Sequence, residues 1–179
     1  MELTIQSLKS SLDELEKDLL LSYLREFKCD KDKDIEKFLF SFALDYEEKG
    51  ICRTFFIMSE DYPGKILGYF AIGLNVMQFE EKLQVEEAYE GVNIHENGYR
   101  PIYKLYMIGK DDRYKENFKM DSIFYDVILN YFKQAQALIG GDLLYIDCDP
   151  VLKNYYTKLG FVTYDENPGN ELIRMIRAI

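Results

Sequence analysis

Apolar residues recur at spacings of three and four over residues 12–27, where Leu12, Leu15, Leu19, Tyr23 and Phe27 fall on one stripe of a helix. Ser11 stands at a plausible N-cap with Glu14 three residues on, a capping-box pattern. A short strand over 3–8 precedes this helix, and the polar stretch 28–34 reads as a loop. A second helix is predicted over 34–48, with Ile35, Phe38, Leu39, Phe42 and Tyr46 on its buried side and Gly50 ending it. The period then changes from helical to extended. Residues 51–58 (ICRTFFIM) are short, aromatic and β-branched, as a strand requires. Pro63 and Gly64 fit the central positions of a type II turn, and 65–77 is the return strand of a hairpin.

Further strands are predicted over 102–110, 143–148, 161–164 and 171–177. The long helix over 120–138 carries Ile123, Val127 and Tyr131 in one row and Phe124, Ile128 and Phe132 in the next, with Ala135 and Leu138 extending the face. Asp121 or Ser122 would cap its start, and Gly140 and Gly141 end it. Pro150 suits the first turn of a short helix that Gly160 closes. These elements make one mixed α/β domain over 1–179, a central mixed sheet of about six to seven strands flanked by helices. Residues 78–101 interrupt the pattern as a long acidic excursion.

Composition narrows the function classes. Hydrophobic residues make up 47% of 179 residues, enough for a real core. No apolar run approaches the roughly 20 residues of a spanning helix, and the N-terminus lacks the basic region of a signal peptide, so a cytoplasmic protein without a membrane role is expected. Three cysteines without C-x-x-C spacing read as reduced thiols, and a single histidine, His95, argues against a histidine-rich metal site. A net charge of −10 repels nucleic acid and favours cationic partners or amine substrates, or simply keeps the chain dissolved.

Across 102–164, the order strand, charged loop, long helix, strand, short helix, strand resembles the cofactor-binding half of the GCN5-related N-acetyltransferases. Tyr155-Tyr156-Thr157-Lys158-Leu159-Gly160-Phe161 looks like that family's aromatic-Tyr-x-Lys-Leu-Gly-Phe segment. Phe27-x-Cys29, Asp34-Ile35-x-Lys37-Phe38-Leu39, Arg53-Thr54-Phe55 and Leu67-Gly68-Tyr69-Phe70 look like the members that include toxins of toxin–antitoxin pairs. The resemblance covers nearly all of the chain outside 78–101. One departure stands out. In the family's pyrophosphate loop, Gln/Arg-x-x-Gly-x-Gly/Ala, Lys115 takes the basic position while Phe118 and Met120 replace the two glycines. A Cβ at those positions restricts the approach of main-chain N–H groups to phosphate. Lys110, Arg113, Lys115 and Lys119 would compensate with side-chain charge, or cofactor binding is weakened or lost.

The resemblance implies transfer of an acetyl group from acetyl-coenzyme A to a primary amine of a small molecule, peptide or protein. It assigns the coenzyme to Ile108, Gly109, Lys110, Lys115, Phe118, Lys119, Met120, Asp121, Tyr155 and Lys158. It gives Tyr156 the role of proton donor to the departing sulfur, with Tyr155 as the competing phenol. Gly109 fits a strand bulge or relieves packing. Glu86, Glu87, Glu90 and Glu96 stand as general-base candidates or as a solvated acidic loop. Asp147 and Asp149 share one face of a strand end, where they would meet the substrate amine or the coenzyme, or cap the next helix. Cys148 reads as a small buried residue and His95 as a loop residue. The toxin-like motifs raise aminoacyl-tRNA as acceptor, and the net charge weighs against it. A non-catalytic binding or regulatory module on the same scaffold is the alternative reading, and a homodimer stays open.

Overall fold

The computed structural model describes residues 1–79, 98–166 and 171–179. Most of the acidic excursion, including His95 and the carboxylates Glu86, Glu87, Glu90 and Glu96, lies outside the described residues. The strands are β1 (Thr4–Ser7), β2 (Arg53–Met58), β3 (Gly68–Phe79), β4 (Gly98–Lys110), β5 (Leu143–Cys148), β6 (Val162–Asp165) and β7 (Ile173–Ala178). They form a seven-stranded sheet in the order β1-β2-β3-β4-β5-β7-β6. The residues divide between two compact units, one of 1–73 with 106–122 and one of 74–105 with 123–179. Among the described residues, no helix is long and apolar enough to cross a membrane.

In the first unit, β1 pairs antiparallel with β2, Thr4 facing Met58 and Ser7 facing Phe55. β2 pairs antiparallel with β3, starting from Ile57 opposite Gly68. The turn over 62–65 closes through the Lys65 N–H to the Tyr62 carbonyl at 3.1 Å, with Gly64 at φ +70° where a type II turn demands it. The strand starts at Gly68, three residues after the expected Lys65.

The expected helix over 12–27 is two helices, α1 (Leu8–Glu14) and α2 (Lys17–Glu26), separated by extended backbone at Leu15 and Glu16. The core explains the break. Leu8, Leu20, Leu24 and Phe27 are buried, whereas Leu19 is 45% exposed. From Leu15, which packs on that core, to the next buried leucine is five residues, a spacing that no continuous α-helix keeps on one face. The cap is Ser7, whose side chain accepts from the Ser10 N–H at 3.0 Å, while Ser11 lies buried inside the helix.

The second helical stretch runs through α3 (Lys33–Lys37), a wide turn over Phe38–Phe42 and α4 (Ala43–Glu48). Asp32 caps it through the Asp34 N–H at 2.9 Å. In the wide turn the Ala43 N–H bonds the Phe38 carbonyl, five residues back rather than four. The extra residue rotates α4 relative to α3. Ala43 and Glu47 are buried, and Phe42, expected inside, is 39% exposed. Glu47 is accommodated because its carboxylate accepts the Thr54 N–H at 3.1 Å.

In the second unit, β4, which continues into the first unit, pairs parallel with β5 through Tyr103 opposite Leu144 and Lys104 opposite Tyr145. β5 pairs antiparallel with β7 along its whole length, and β7 pairs with β6, with an irregularity between Thr163 and Asp165. The long helix comprises α5 (Met120–Ile123), a second wide turn over Phe124–Ile128 and α6 (Leu129–Ile139). The helix starts at Met120, so Asp121 and Ser122 lie in its first turn instead of capping it. Phe124, Ile128 and Phe132 are buried as expected, but Leu138 is 84% exposed, beyond the last turn that faces the sheet. A 3-10 turn over Pro150–Leu152 leads into α7 (Lys153–Lys158).

Candidate functional site

β4 carries Ile108, Gly109 and Lys110 at its carboxyl end. Gly109 is small because Ile35 of α3 lies against it: a Cβ there would stand 2.4 Å from Ile35 Cγ2. The packing reading of this glycine therefore accounts for it. The Tyr69 hydroxyl donates to the Ile35 carbonyl at 2.6 Å, fixing α3 over the strand, and burial holds that phenol well above its ordinary pKa.

The loop after β4 is built by charge where glycines were expected. Asp111 is fully buried, and its carboxylate accepts the Lys28 N–H at 3.1 Å, the Arg113 N–H at 2.9 Å and two guanidinium N–H groups of Arg113 at 2.9 and 2.6 Å. Arg113 also donates to the Glu26 carbonyl at 2.7 Å. The start of the loop is thus tied to the segment between α2 and α3.

Lys110 latches the interior of the loop. Its ammonium donates to the carbonyls of Lys115 and, at 2.5 Å, Phe118. It also sits 4.7 Å from the centre of the Phe118 ring, in cation–π range. Burial lowers the Lys110 pKa, with Glu116 and Asp121 opposing the shift. Across a trans peptide the carbonyl of one residue and the N–H of the next point in opposite directions. With no cis bond among the described residues, the N–H groups of Glu116 and Lys119 point away from the ammonium.

Phe118 does not fill that space with its ring. Its Cζ lies 3.0 Å from where a Cβ on Gly68 would be, so the ring is drawn back onto β3. Gly68 makes this room, and a Cβ there would also stand 2.9 Å from the Gly109 carbonyl oxygen. Lys115, Lys119 and Asp121 are exposed, while Met120 is half-buried.

The tyrosine pair stands on α7. Asp149 caps the 3-10 turn through the Val151 N–H at 2.8 Å, so the capping reading of Asp149 accounts for it. Tyr155 and Tyr156 meet edge to face with ring centres 5.1 Å apart. Tyr156 is buried, its ring 5.8 Å from that of Phe161. Lys158 is exposed, and its carbonyl accepts the Tyr125 hydroxyl at 3.0 Å. Gly160, at φ +85°, ends α7.

Asp147 is committed elsewhere. Its carboxylate accepts Arg174 at 2.7 and 3.2 Å and Lys104 at 3.3 Å, and both cations lie about 5 Å from the Tyr145 ring. All three cysteines are buried and free; burial pushes the Cys52 thiol up to about 12 and Cys148 to about 11, so both stay protonated at neutral pH.

No protein-family model matches this sequence, and no curated relative matches it. Solved structures do. AtaT complexed with acetyl-methionyl-tRNAfMet superposes with TM-score 0.72 at 18% identity, over 99% of this chain and 95% of that one. A tyrosine-to-phenylalanine AtaT mutant bound to acetyl-CoA and the C-terminus of the antitoxin AtaR gives 0.67 at 17% identity, over 99% and 94%. A tyrosine-to-phenylalanine mutant of KacT gives 0.67 at 16% identity, over 99% and 95%.

The chain has the fold of these AtaT and KacT structures. The loop-motif residues lie between β4 and α5 and the tyrosine-motif residues on and just after α7, the loop and short helix that the sequence predicts for them. Sequence reasoning missed Gly68 and Asp111, whose parts depend on distant partners. Only Gly68, inside a quoted motif, carried a signal: a glycine within a strand marks a close approach.

Proposed function

We propose that the protein is an N-acetyltransferase that moves the acetyl group of acetyl-coenzyme A to a primary amine. The Lys110 latch carries this reading. It turns two loop carbonyls inward, which aims main-chain N–H groups outward beside a helix N-terminus. Outward N–H groups at the start of a helix receive phosphate oxygens. With the Phe118 ring withdrawn onto Gly68, the loop keeps a surface for pyrophosphate without the two glycines. Exposed Lys115 and Lys119 add charge there. The occurrence of this fold in a toxin bound to acetyl-CoA supports the same ligand.

In the proposed reaction the amine lone pair attacks the thioester carbonyl carbon. The tetrahedral oxyanion collapses, the carbon–sulfur bond breaks, the thiolate takes the Tyr156 hydroxyl proton, and the proton lost by the amine passes through solvent water to restore the phenol. Main-chain donors at the end of β4, around Ile108, Gly109 and Lys110, serve the developing oxyanion. A phenol with a reference pKa of about 10 is protonated at neutral pH and able to donate.

The AtaT complex with acetyl-methionyl-tRNAfMet favours aminoacyl-tRNA as a second reading of the acceptor. Its chemistry is less demanding. An α-amino group, with a reference pKa of about 8, is roughly one-tenth neutral at pH 7; a lysine, at about 10.4, is neutral in roughly four cases in ten thousand. An α-amine thus attacks without a strong general base.

Calorimetry tests the cofactor proposal. Wild type and Tyr156→Phe bind acetyl-coenzyme A alike, and Tyr156→Phe loses turnover. Lys110→Met binds at least about tenfold more weakly, about 1.4 kcal/mol. Absence of wild-type binding at millimolar cofactor would instead establish a non-catalytic module.

A further inference from the structure

Arg177 lies outside every motif, yet it meets the end of the tyrosine helix. It sits near the end of β7, and its Nη1 donates to the carbonyl of Leu159, the residue that caps α7. Its Nε donates to the Ala178 carbonyl at 3.2 Å. The guanidinium carbon lies 5.5 Å from the centre of the Phe124 ring and 5.7 Å from that of Tyr125. These are consecutive residues of the second wide turn, in which the Leu129 N–H reaches back to the Phe124 carbonyl. Tyr125 holds the neighbouring carbonyl, Lys158, through its hydroxyl at 3.0 Å.

Two groups therefore hold the last two carbonyls of a six-residue helix, which is too short to fix its own direction. The contact is close, and the positive φ of +85° at the intervening Gly160 favours glycine there. A Cβ on Gly160 would lie 3.1 Å from Arg177 Nη1. A cation at a helix C-terminus also complements the helix dipole. From there a ring relay reaches the phenol: Phe124 contacts Phe161 at 5.7 Å, and Phe161 contacts Tyr156 at 5.8 Å. The Phe161 N–H donates to the Tyr156 carbonyl at 3.0 Å.

We propose that Arg177, assisted by Tyr125, is a positioning residue that sets the pose of the Tyr156 phenol. This inference rests on the acetyltransferase reading and extends it. Lysine at 177 keeps the charge but cannot reproduce the guanidinium fork lying across two rings while it donates to two carbonyls.

The test is a double-mutant cycle read in kcat. Arg177→Lys lowers kcat about tenfold with KM for acetyl-coenzyme A unchanged, because a small misplacement of a reacting group costs up to about 10²-fold. Tyr125→Phe, which removes one hydroxyl and keeps the fold, lowers kcat in the same direction by a smaller factor. In a Tyr156→Phe background both substitutions have no further effect on residual turnover, since the group they position is gone. Equal losses in both backgrounds, or a rise in KM instead of a fall in kcat, overturn the positioning role. A wild-type level of turnover in Tyr156→Phe alone overturns the assignment of the phenol itself, and the two failures are thereby told apart.

Discussion

At the scale of single residues, one lysine ties down the loop proposed to receive pyrophosphate, Lys110 binding the carbonyls of Lys115 and Phe118. Lys110 serves the loop only while it is charged, because a neutral amine gives weaker hydrogen bonds and no cation–π attraction. Burial lowers its pKa below the usual 10.5, so the latch is lost as pH rises before an ordinary lysine titrates. A bound pyrophosphate stabilises the ammonium and opposes that loss. Cofactor affinity therefore falls on the alkaline side before free lysines titrate, and binding in this range takes up protons. Calorimetry in buffers of different ionisation enthalpy measures the proton uptake. Lys110→Met, already weak, shows neither the alkaline fall nor the uptake; persistence of both in that variant refutes the latch.

At the scale of elements, the contact between α3 and β4 is as close as backbone and side chain allow. Gly109→Ala places a methyl 2.4 Å from Ile35 Cγ2, so the helix must shift. Overpacking of this kind costs about 1–3 kcal/mol, measured as a lowered urea midpoint with an unchanged slope. Ile35→Ala in the same chain removes the opposing methyl and recovers part of the loss, although Ile35→Ala alone destabilises. Simple additivity of the two losses contradicts the contact. The same pair shows what was legible in the sequence. Glycine at 109 signalled something unusual, yet only the fold brings Ile35, 74 positions earlier, against it. The hairpin turn at Pro63-Gly64 and the core row Phe124–Ile128–Phe132 were legible because local turn chemistry and helical period determine them. The breaks were not. The extended link at Leu15 and Glu16 and the wide turn over Phe38–Phe42 each shift the helical phase, and the core settles that shift through the burial of Leu20 and Ala43 and the exposure of Leu19 and Phe42. Tyr156 was legible by motif, but Arg177 was not, because a lone arginine in a terminal strand has no local signature.

At the scale of the whole molecule, the net charge of −10 bears on the acceptor. A field of that sign slows the encounter with RNA and favours a small cationic amine. An aminoacyl-tRNA acceptor must then be gripped by local cations, and each phosphate they neutralise releases a counterion. With about three such contacts, the KM for charged tRNA rises roughly twentyfold to fortyfold between 50 and 200 mM salt. A lysine-containing peptide attracted only by the diffuse acidic field changes by less than about threefold over the same range. Steady-state acetylation of both acceptors across that salt series separates them. A steep rise for tRNA, with kcat/KM well above that of the peptide at low salt, assigns the α-amine of a charged tRNA as substrate in spite of the net charge. A flat or inverted salt response for tRNA, together with efficient acetylation of the peptide, assigns the acceptor to a lysine. In that case the neutral amine must be generated by a base, since so little lysine is neutral at pH 7, and kcat/KM for the peptide climbs with pH until the base is fully ionised.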